Sequence, residues 1–460
     1  MEQVNGLPQE FLLRMRQMLD GEYPAFLNCM KQQPYRALRI NTLKCEEPAF
    51  QAMFPVPLTP SPFAAHSYYL PYEAQGLGNS PLHHAGAFYL QEPSAASAVT
   101  MLDPQPGERI LDLCAAPGGK TTQIAALLQG EGLVWANEVV GSRARTLLSN
   151  VERMGVRNAV VSSCHPQKLC ERLAGFFDRV LVDAPCSGEG MFRKNPEAAQ
   201  EWSSAHVEAC AQRQQMILQS AAQAVRPGGV LVYSTCTYAP QENEQVISAF
   251  LQHHPDFSLE PGPMQNGRTA VPAWGGGEEA LSLARRIFPM DGGEGHFVAR
   301  LRRQGEGEAA GYTAFVPDAL RGDEKKQTDE LFVQLFGAAA PPWGEAGRFQ
   351  NAVLLFPHGL PELTGLGVLR AGVPAGELKK GRVEPEHALF MAAKPEQLRQ
   401  VLALYLSDTD ALQAFLHGEE LSVPESWKGY AGVAVQGMIL GFGKCSGGRL
   451  KNRYPKGLRL

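Results

Sequence analysis

The middle of the chain predicts an α/β domain: a doubly wound, mostly parallel sheet with helices on both faces. Two observations carry that expectation. Short, fully apolar runs recur between Arg109 and Leu301, and stretches with helical periodicity separate them. A strand covered on both faces has no polar side with which to alternate, so such runs joined by helices mean parallel strands inside a sheet covered on both sides. Ligands of these folds sit beyond the carboxyl ends of the strands.

The expected strands are residues 110–113, 133–136, 159–161, 180–182 and 230–233. Between them, residues 120–128, 143–154 and 206–225 read as helices. Upstream, residues 1–100 mix Pro, His and aromatic residues into short helical pieces and form an N-terminal extension. Its start carries Phe11, Leu12, Met15, Met18 and Leu19 at helical spacing, an amphipathic surface helix rather than a signal peptide. Residues 101–303 make the α/β domain. Residues 304–311, rich in Gly, Glu and Ala, read as a linker. A subdomain over 312–395 follows, with a Pro/Gly-rich break at 338–347, and then a small α+β domain over 396–460, dense in glycine and β-formers over 432–460.

At 460 residues the chain exceeds a single ordinary core. With 44% hydrophobic and 19% charged residues, and no apolar run long enough to span a bilayer, it is expected in the cytoplasm, without a membrane partner and as a monomer. The formal charge of −5 excludes a uniformly basic surface but leaves room for a local basic stripe. Nine cysteines, none in a CxxC pair, suit neither a disulfide framework nor a zinc ribbon; no metal is expected.

After the first predicted strand comes Cys114-Ala115-Ala116-Pro117-Gly118-Gly119-Lys120, then Thr121 and Thr122 opening a helix. Small residues let a ligand approach the backbone, and the helix start offers free N–H groups to an anion. Glu138, at the end of the next strand, stands where an acid takes ribose hydroxyls. The loop is neither G-x-G-x-x-G nor a P-loop, so no pyrophosphate is specially provided for. S-adenosylmethionine, with one small carboxylate to hold, fits better.

Two further strands run into Asp183-Ala184-Pro185-Cys186 and Ser234-Thr235-Cys236 at the same end of the sheet. Asp183, Cys186 and Cys236 should therefore converge. C5 of cytosine is too weak a nucleophile to attack a methyl sulfonium unaided. A thiolate adding to C6 raises the electron density at C5, a carboxyl group near N3 steadies the adduct, and a base then takes the C5 proton.

These stretches resemble the Nop/Sun family of RNA cytosine-C5 methyltransferases: LDLCAAPGGKTTQIA, VLVDAPCSGEGMFRKNP, QMILQSAAQAVRPGGVLVYSTCTYAPQENE and, upstream, RALRINTLK and GAFYLQEPSA. The resemblance implies a Rossmann-like class I methyltransferase fold. It assigns Cys236 as nucleophile, Cys186 to product release and Asp183 to the base and methyl-donor region. Lys120 would lie close to the cofactor, held by residues 114–119 and Glu138. A Pro-Cys pair bears the nucleophile in DNA enzymes and would favour Cys186; the Thr-Cys pair at Cys236 marks the RNA enzymes. LKKGRVEPEHALFMA and GFGKCSGGRLKNRYPKGLRL resemble the downstream and PUA-like domains of bacterial RsmF-type enzymes, which implies 16S ribosomal RNA or the small ribosomal subunit as partner. One departure stands out. Cys164-His165 replaces an acid that often contacts the adenine, and no residue is assigned to that contact.

Lys444, Lys451, Arg453 and Lys456 lie in an acid-free basic tail with Tyr454 among them, suited to phosphate contact and stacking. Arg36 and Arg39 could line an RNA cleft or pin their segment to the core. Arg193 and Lys194 follow the Asp183–Cys186 loop and are expected to meet phosphates beside the target base. A tRNA substrate keeps the same chemistry. A nicotinamide-dependent oxidoreductase would leave both cysteines and the basic tail without a role.

Overall fold

The computed structural model describes residues 6–307, 311–341 and 343–460. Part of the expected linker, residues 308–310, lies outside the described residues, as does residue 342 within the expected break. Helix α1 (Gln9–Leu19) buries Phe11, Met15 and Leu19. They pack against Phe192, Trp202 and Tyr238 from the middle of the chain, so the amphipathic stripe is docked rather than exposed. A four-stranded antiparallel sheet follows, in the order Thr59–Pro60, Ser67–Tyr69, Ala37–Ile40, Phe88–Gln91.

The central sheet is built from β1 (Arg109–Asp112), β2 (Leu133–Asn137), β3 (Ala159–Ser162), β4 (Phe177–Asp183) and β5 (Val225–Thr235). All four pairings among them are parallel, in the order β5-β4-β1-β2-β3. Helices α2 (Gly119–Leu127), α3 (Gly141–Arg153), α4 (Pro166–Arg172) and α5 (Ser204–Ala224) connect them. Strand order reverses between β1 and β4, which opens a crevice at their carboxyl ends. The last expected helix ends one residue early, because Val225 already begins β5.

The sheet grows beyond the five expected strands. Antiparallel strands β6 (Phe257–Leu259), β7 (Arg268–Thr269), β8 (Arg285–Ile287) and β9 (His296–Arg303) extend the β5 side, β9 pairing with β5 itself. Their arginines break the apolar pattern yet are internally satisfied: Arg300 Nε donates to Glu260 Oε1 at 2.6 Å and Arg302 Nε to Glu260 Oε2 at 2.9 Å. On the opposite edge, β10 (Val368–Ala371) comes from the 312–395 region and pairs antiparallel with β3. Leu354, Phe356, Leu360 and Leu366 of that region share one core with Leu111, Trp135 and Val160. That region is thus grafted onto the central sheet while carrying its own four-stranded sheet (Glu345–Phe349, Ala352–Phe356, Val373–Lys379, Arg382–Pro385).

The last region forms a five-stranded sheet with one helix, Thr409–His417, packed against it. Its Phe415, Leu450 and Tyr454 share a core with Leu38, Phe50 and Phe88, which joins the two ends of the chain. Among the described residues no helix is long and apolar enough to cross a membrane.

Candidate active site

The loop 114–119 leaves β1 over α2. Gly118, the residue before the helix, has φ +112°, a conformation that favours glycine, and an added Cβ would press on Leu147 Cδ1 at 3.1 Å. Asn150 Nδ2 donates to Pro117 O at 2.9 Å and Arg143 to Ala116 O at 2.9 Å, fixing the loop from α3. Beneath it Asp112 is fully buried. Its Oδ2 accepts from the Thr121 hydroxyl at 2.7 Å, its Oδ1 has no partner, and burial pushes its pKa up to about 7.

A cleft of about 950 Å³ opens above the crevice between β1 and β4. Cys114, Ala116, Glu138, Asp183, Cys186 and Cys236 all line it, as do His165 and Gln167 at the place without a family acid. Ala115, Gly118, Gly119 and Lys120 shape the loop from behind, and Pro117 is exposed on its outer side. Glu138 is nearly buried; its Oε1 accepts from Val140 N–H at 2.9 Å and its Oε2 lies 3.4 Å from Arg143. Each oxygen keeps a lone pair for a ligand hydroxyl. The volume suits a nucleoside-sized ligand, and the α2 start supplies unpaired N–H groups for an anionic end.

Asp183 closes β4. Its Oδ2 accepts from Lys120 Nζ at 2.8 Å and its Oδ1 from the Ser234 hydroxyl at 2.7 Å. Burial alone would raise its pKa; the Lys120 charge and these two donors outweigh burial and hold it below the usual carboxylate value. Lys120 answers in kind. Burial would lower its ammonium, but Asp183, and Cys236 more weakly, hold it above its ordinary value.

The two sulfurs meet. Cys186 Sγ and Cys236 Sγ are 3.3 Å apart, although their positions in the chain are fifty residues apart. The hydrogen bond to Cys236, then burial, push the Cys186 thiol well up, so it keeps its proton beside its neighbour. Glu242 locks the two loops together: it accepts from Ser187 N–H at 2.9 Å, from the Ser187 hydroxyl and from Gln214 Nε2 at 2.8 Å. Asn243 Nδ2 donates to Thr237 O at 2.9 Å, and Asn243 Oδ1 accepts from Thr235 at 2.6 Å. Glu189 accepts from Trp202 Nε1 at 2.9 Å and Tyr238 N–H at 3.1 Å, and pairs with Arg14 of α1. Asn137 ties the ends of β1, β2 and β3, bonding Leu113 O, Cys164 O and Cys164 N–H.

Sequence reasoning identifies none of Glu242, Asn243, Glu189 or Asn137. The first two lie in the QENE stretch, but only the fold brings them to the cysteines.

Several expected RNA contacts are spent inside the protein. Arg39 is buried, donating to Thr122 Oγ1 at 2.8 Å and to Gln91, so it pins its segment to α2. Arg193 makes a two-pronged pair with Glu294, both bonds 2.8 Å, and has a side chain only 3% exposed. Tyr454 is buried too, its hydroxyl 2.6 Å from His84 Nδ1, and offers no face for stacking. Arg36 and Lys194 remain partly accessible and lie near each other, with Glu92 beside Lys194. Lys444, Lys451, Arg453 and Lys456 are exposed. Across the strands Lys444 stands opposite Lys451, on one face. Among the described residues there is no group of three or more His, Cys, Asp and Glu side chains placed to hold a metal ion.

Four family models cover most of the chain. They are described as the N-terminal domain of 16S rRNA methyltransferase RsmF (residues 7–93), 16S rRNA methyltransferase RsmB/F (99–302), the RsmF first C-terminal domain (332–392) and the RsmF PUA domain (401–460). Ribosomal RNA small subunit methyltransferase F of Vibrio vulnificus (strain YJ016) is 34% identical, over 98% of this chain and 97% of its own. The chain belongs to the RsmF family. The corresponding protein of Enterobacter sp. (strain 638) is 33% identical over 98% of this chain and 95% of its own. Among solved structures, a methyltransferase homolog from Pyrococcus horikoshii matches with a TM-score of 0.58 at 30% identity, over 65% of this chain and 96% of its own. NSun6 from Pyrococcus horikoshii, solved with SFG, has a TM-score of 0.56 at 22% identity, over 66% and 100%, and so shares the fold. As an RsmF-family member the protein is a ribosomal RNA methyltransferase with a Rossmann-like core and a PUA domain.

Proposed function

We propose that the protein methylates C5 of a cytosine in 16S ribosomal RNA, using S-adenosylmethionine and a transient covalent bond from Cys236 to C6 of the base. The observation that carries this reading is the convergence of Cys236, Cys186 and Asp183 at one end of the cleft, the two sulfurs 3.3 Å apart. A methyltransferase acting on an amino group or a hydroxyl has no use for a pair of thiols. A C5 enzyme needs one sulfur to add and a second group to handle a proton.

S-adenosylmethionine, held by residues 114–119 and Glu138, supplies the methyl group. The target base leaves its stack to reach the cleft. The Cys236 sulfur adds to C6 with the Lys120 ammonium nearby, the thiol proton passing to N3, while Asp183 holds the N3 edge. The C5–methyl bond would form as the methyl–sulfonium bond of S-adenosylmethionine breaks and S-adenosylhomocysteine leaves, and a base accepts the C5 proton. The C6–sulfur bond breaks as its electron pair returns to Cys236. Cys186, adjacent to the adduct, assists this second half. The partly accessible pair Arg36 and Lys194 and the basic face around Lys444 and Lys451 meet RNA phosphates, and the work is done in the cytoplasm.

Bisulfite sequencing of small-subunit rRNA tests the reading in a deletion strain complemented with wild-type or Cys236→Ala protein. The expected result is one or more cytosines protected only by wild type. Identical patterns in both strains would refute it.

A further inference from the structure

His296 stands beside Asp183, next to the residues that line the cleft, and has no task in the mechanism above. It begins β9, whose next residue, Phe297, pairs with Thr235 just before Cys236. Its side chain is 2% exposed, and its Nε2 stands 3.9 Å from Asp183 Oδ1. Neither ring nitrogen has a partner within hydrogen-bond geometry, although the Gly295 backbone is close enough to favour the protonated ring. Leaving a buried polar group unpaired is costly, and native proteins rarely do so without a ligand to complete it.

The surroundings define what would complete it. Asp183 is an acceptor already engaged by Lys120 and Ser234, with lone pairs left over. The charged groups around the ring are Lys120, Asp183 and Glu92. Burial, and then the Lys120 ammonium, push the imidazole down to about 4, so the ring is neutral and keeps one lone pair. A group facing both that lone pair and Asp183 Oδ1 must bring two hydrogens.

We infer that His296 Nε2 and Asp183 Oδ1 together accept the two hydrogens of the target cytosine's exocyclic amino group, so that His296 selects cytosine over uracil. The spacing permits it. An amino nitrogen about 2.9 Å from each acceptor would see them roughly 85° apart, bending each bond only modestly from the ideal N–H directions. Uracil presents an acceptor oxygen at that position and would face two acceptors. The inference rests on the cytosine reading above.

The test compares two RNAs after the target has been mapped: small-subunit rRNA with cytosine at the target, and the same RNA with pyrimidin-2-one there, which is cytosine lacking its amino group. The readout is the single-turnover rate of covalent adduct formation on denaturing gels. On cytosine RNA, His296→Phe should lose roughly ten- to a hundredfold, the cost of one buried hydrogen bond left unmade. On pyrimidin-2-one RNA it should match wild type. His296→Gln, which keeps a carbonyl acceptor, should recover part of the rate on cytosine RNA only. Equal losses on both RNAs, or none on either, would overturn the inference and indicate a packing role. S-adenosylhomocysteine affinity and thermal midpoint report folding, and His296→Gln carries the comparison if the Phe variant does not fold. Failure of wild type to form an adduct with either RNA, cofactor binding intact, would instead overturn the covalent cytosine reading.

Discussion

Cys186 and Cys236 are hydrogen-bonded to each other, sulfur to sulfur at 3.3 Å, and that bond, then burial, pushes the Cys186 thiol strongly toward its neutral form. A thiol that keeps its proton suits product release rather than attack, which assigns the two residues different failures. Cys236→Ala should form no RNA adduct and be inactive. Cys186→Ala should still form the bond and then stall, leaving protein attached to RNA on a denaturing gel with S-adenosylmethionine present. A shifted band from the Cys236 variant alone would exchange the two roles. Retained activity in both would eliminate covalent catalysis.

Glu138 should govern cofactor affinity. Glu138→Ala removes a charged acceptor at the end of β2 and should weaken S-adenosylmethionine binding by roughly 1.5–3 kcal/mol, about ten- to a hundredfold. The carboxylate also holds Val140 N–H at 2.9 Å. Glu138→Gln, which can keep that bond, separates lost loop order from lost charge. Calorimetric affinity unchanged in both variants would remove Glu138 from the site.

Asp112 gives a pH signature. Its pKa is about 7 in the folded protein and about 4 in an unfolded chain. Between those values the native state holds a proton that the unfolded state has released, so the contribution of Asp112 to stability falls as pH rises through the window. A tenfold difference in proton affinity between the two states corresponds to about 1.4 kcal/mol. Asp112→Asn should therefore gain thermal midpoint over wild type progressively from pH 4 to 7 and hold that gain above. A pH-independent difference would mean the carboxyl ionises as it does in water.

What could be read from the sequence divides along a physical line. Strands β1 to β5 declared themselves because both faces are buried, and the loop 114–120, Asp183, Cys186 and Cys236 follow directly on such strands. Strands β9 and β10 did not, since antiparallel strands admit Arg300 and Arg302 once Glu260 neutralises them, and Arg370 once Glu152 does. Burial is the other blind spot. Arg39, Arg193 and Tyr454 carry the chemistry of RNA contact, but their partners Thr122, Glu294 and His84 come from distant parts of the chain. Glu242 and His296 matter through neighbours across strands, which no local spacing displays.

The basic face of the last domain yields the final prediction. Truncating that domain would be a poor test, because Phe415, Leu450 and Tyr454 share a core with Leu38 and Phe88. Charge substitution avoids this. Lys444 and Lys451 are exposed, directly opposed in the strand register, and carry no ion pair among the described residues. Like charges placed so repel one another, and a phosphate between them relieves the repulsion. Lys444→Gln with Lys451→Gln should weaken rRNA binding at low salt while leaving S-adenosylmethionine binding unchanged. If each lysine meets one phosphate, the slope of log affinity against log salt should become shallower by roughly 0.7–0.9 per lysine. Equal slopes for wild type and the double variant would make this face an ordinary solvated surface and move RNA contact to the Arg36–Lys194 pair.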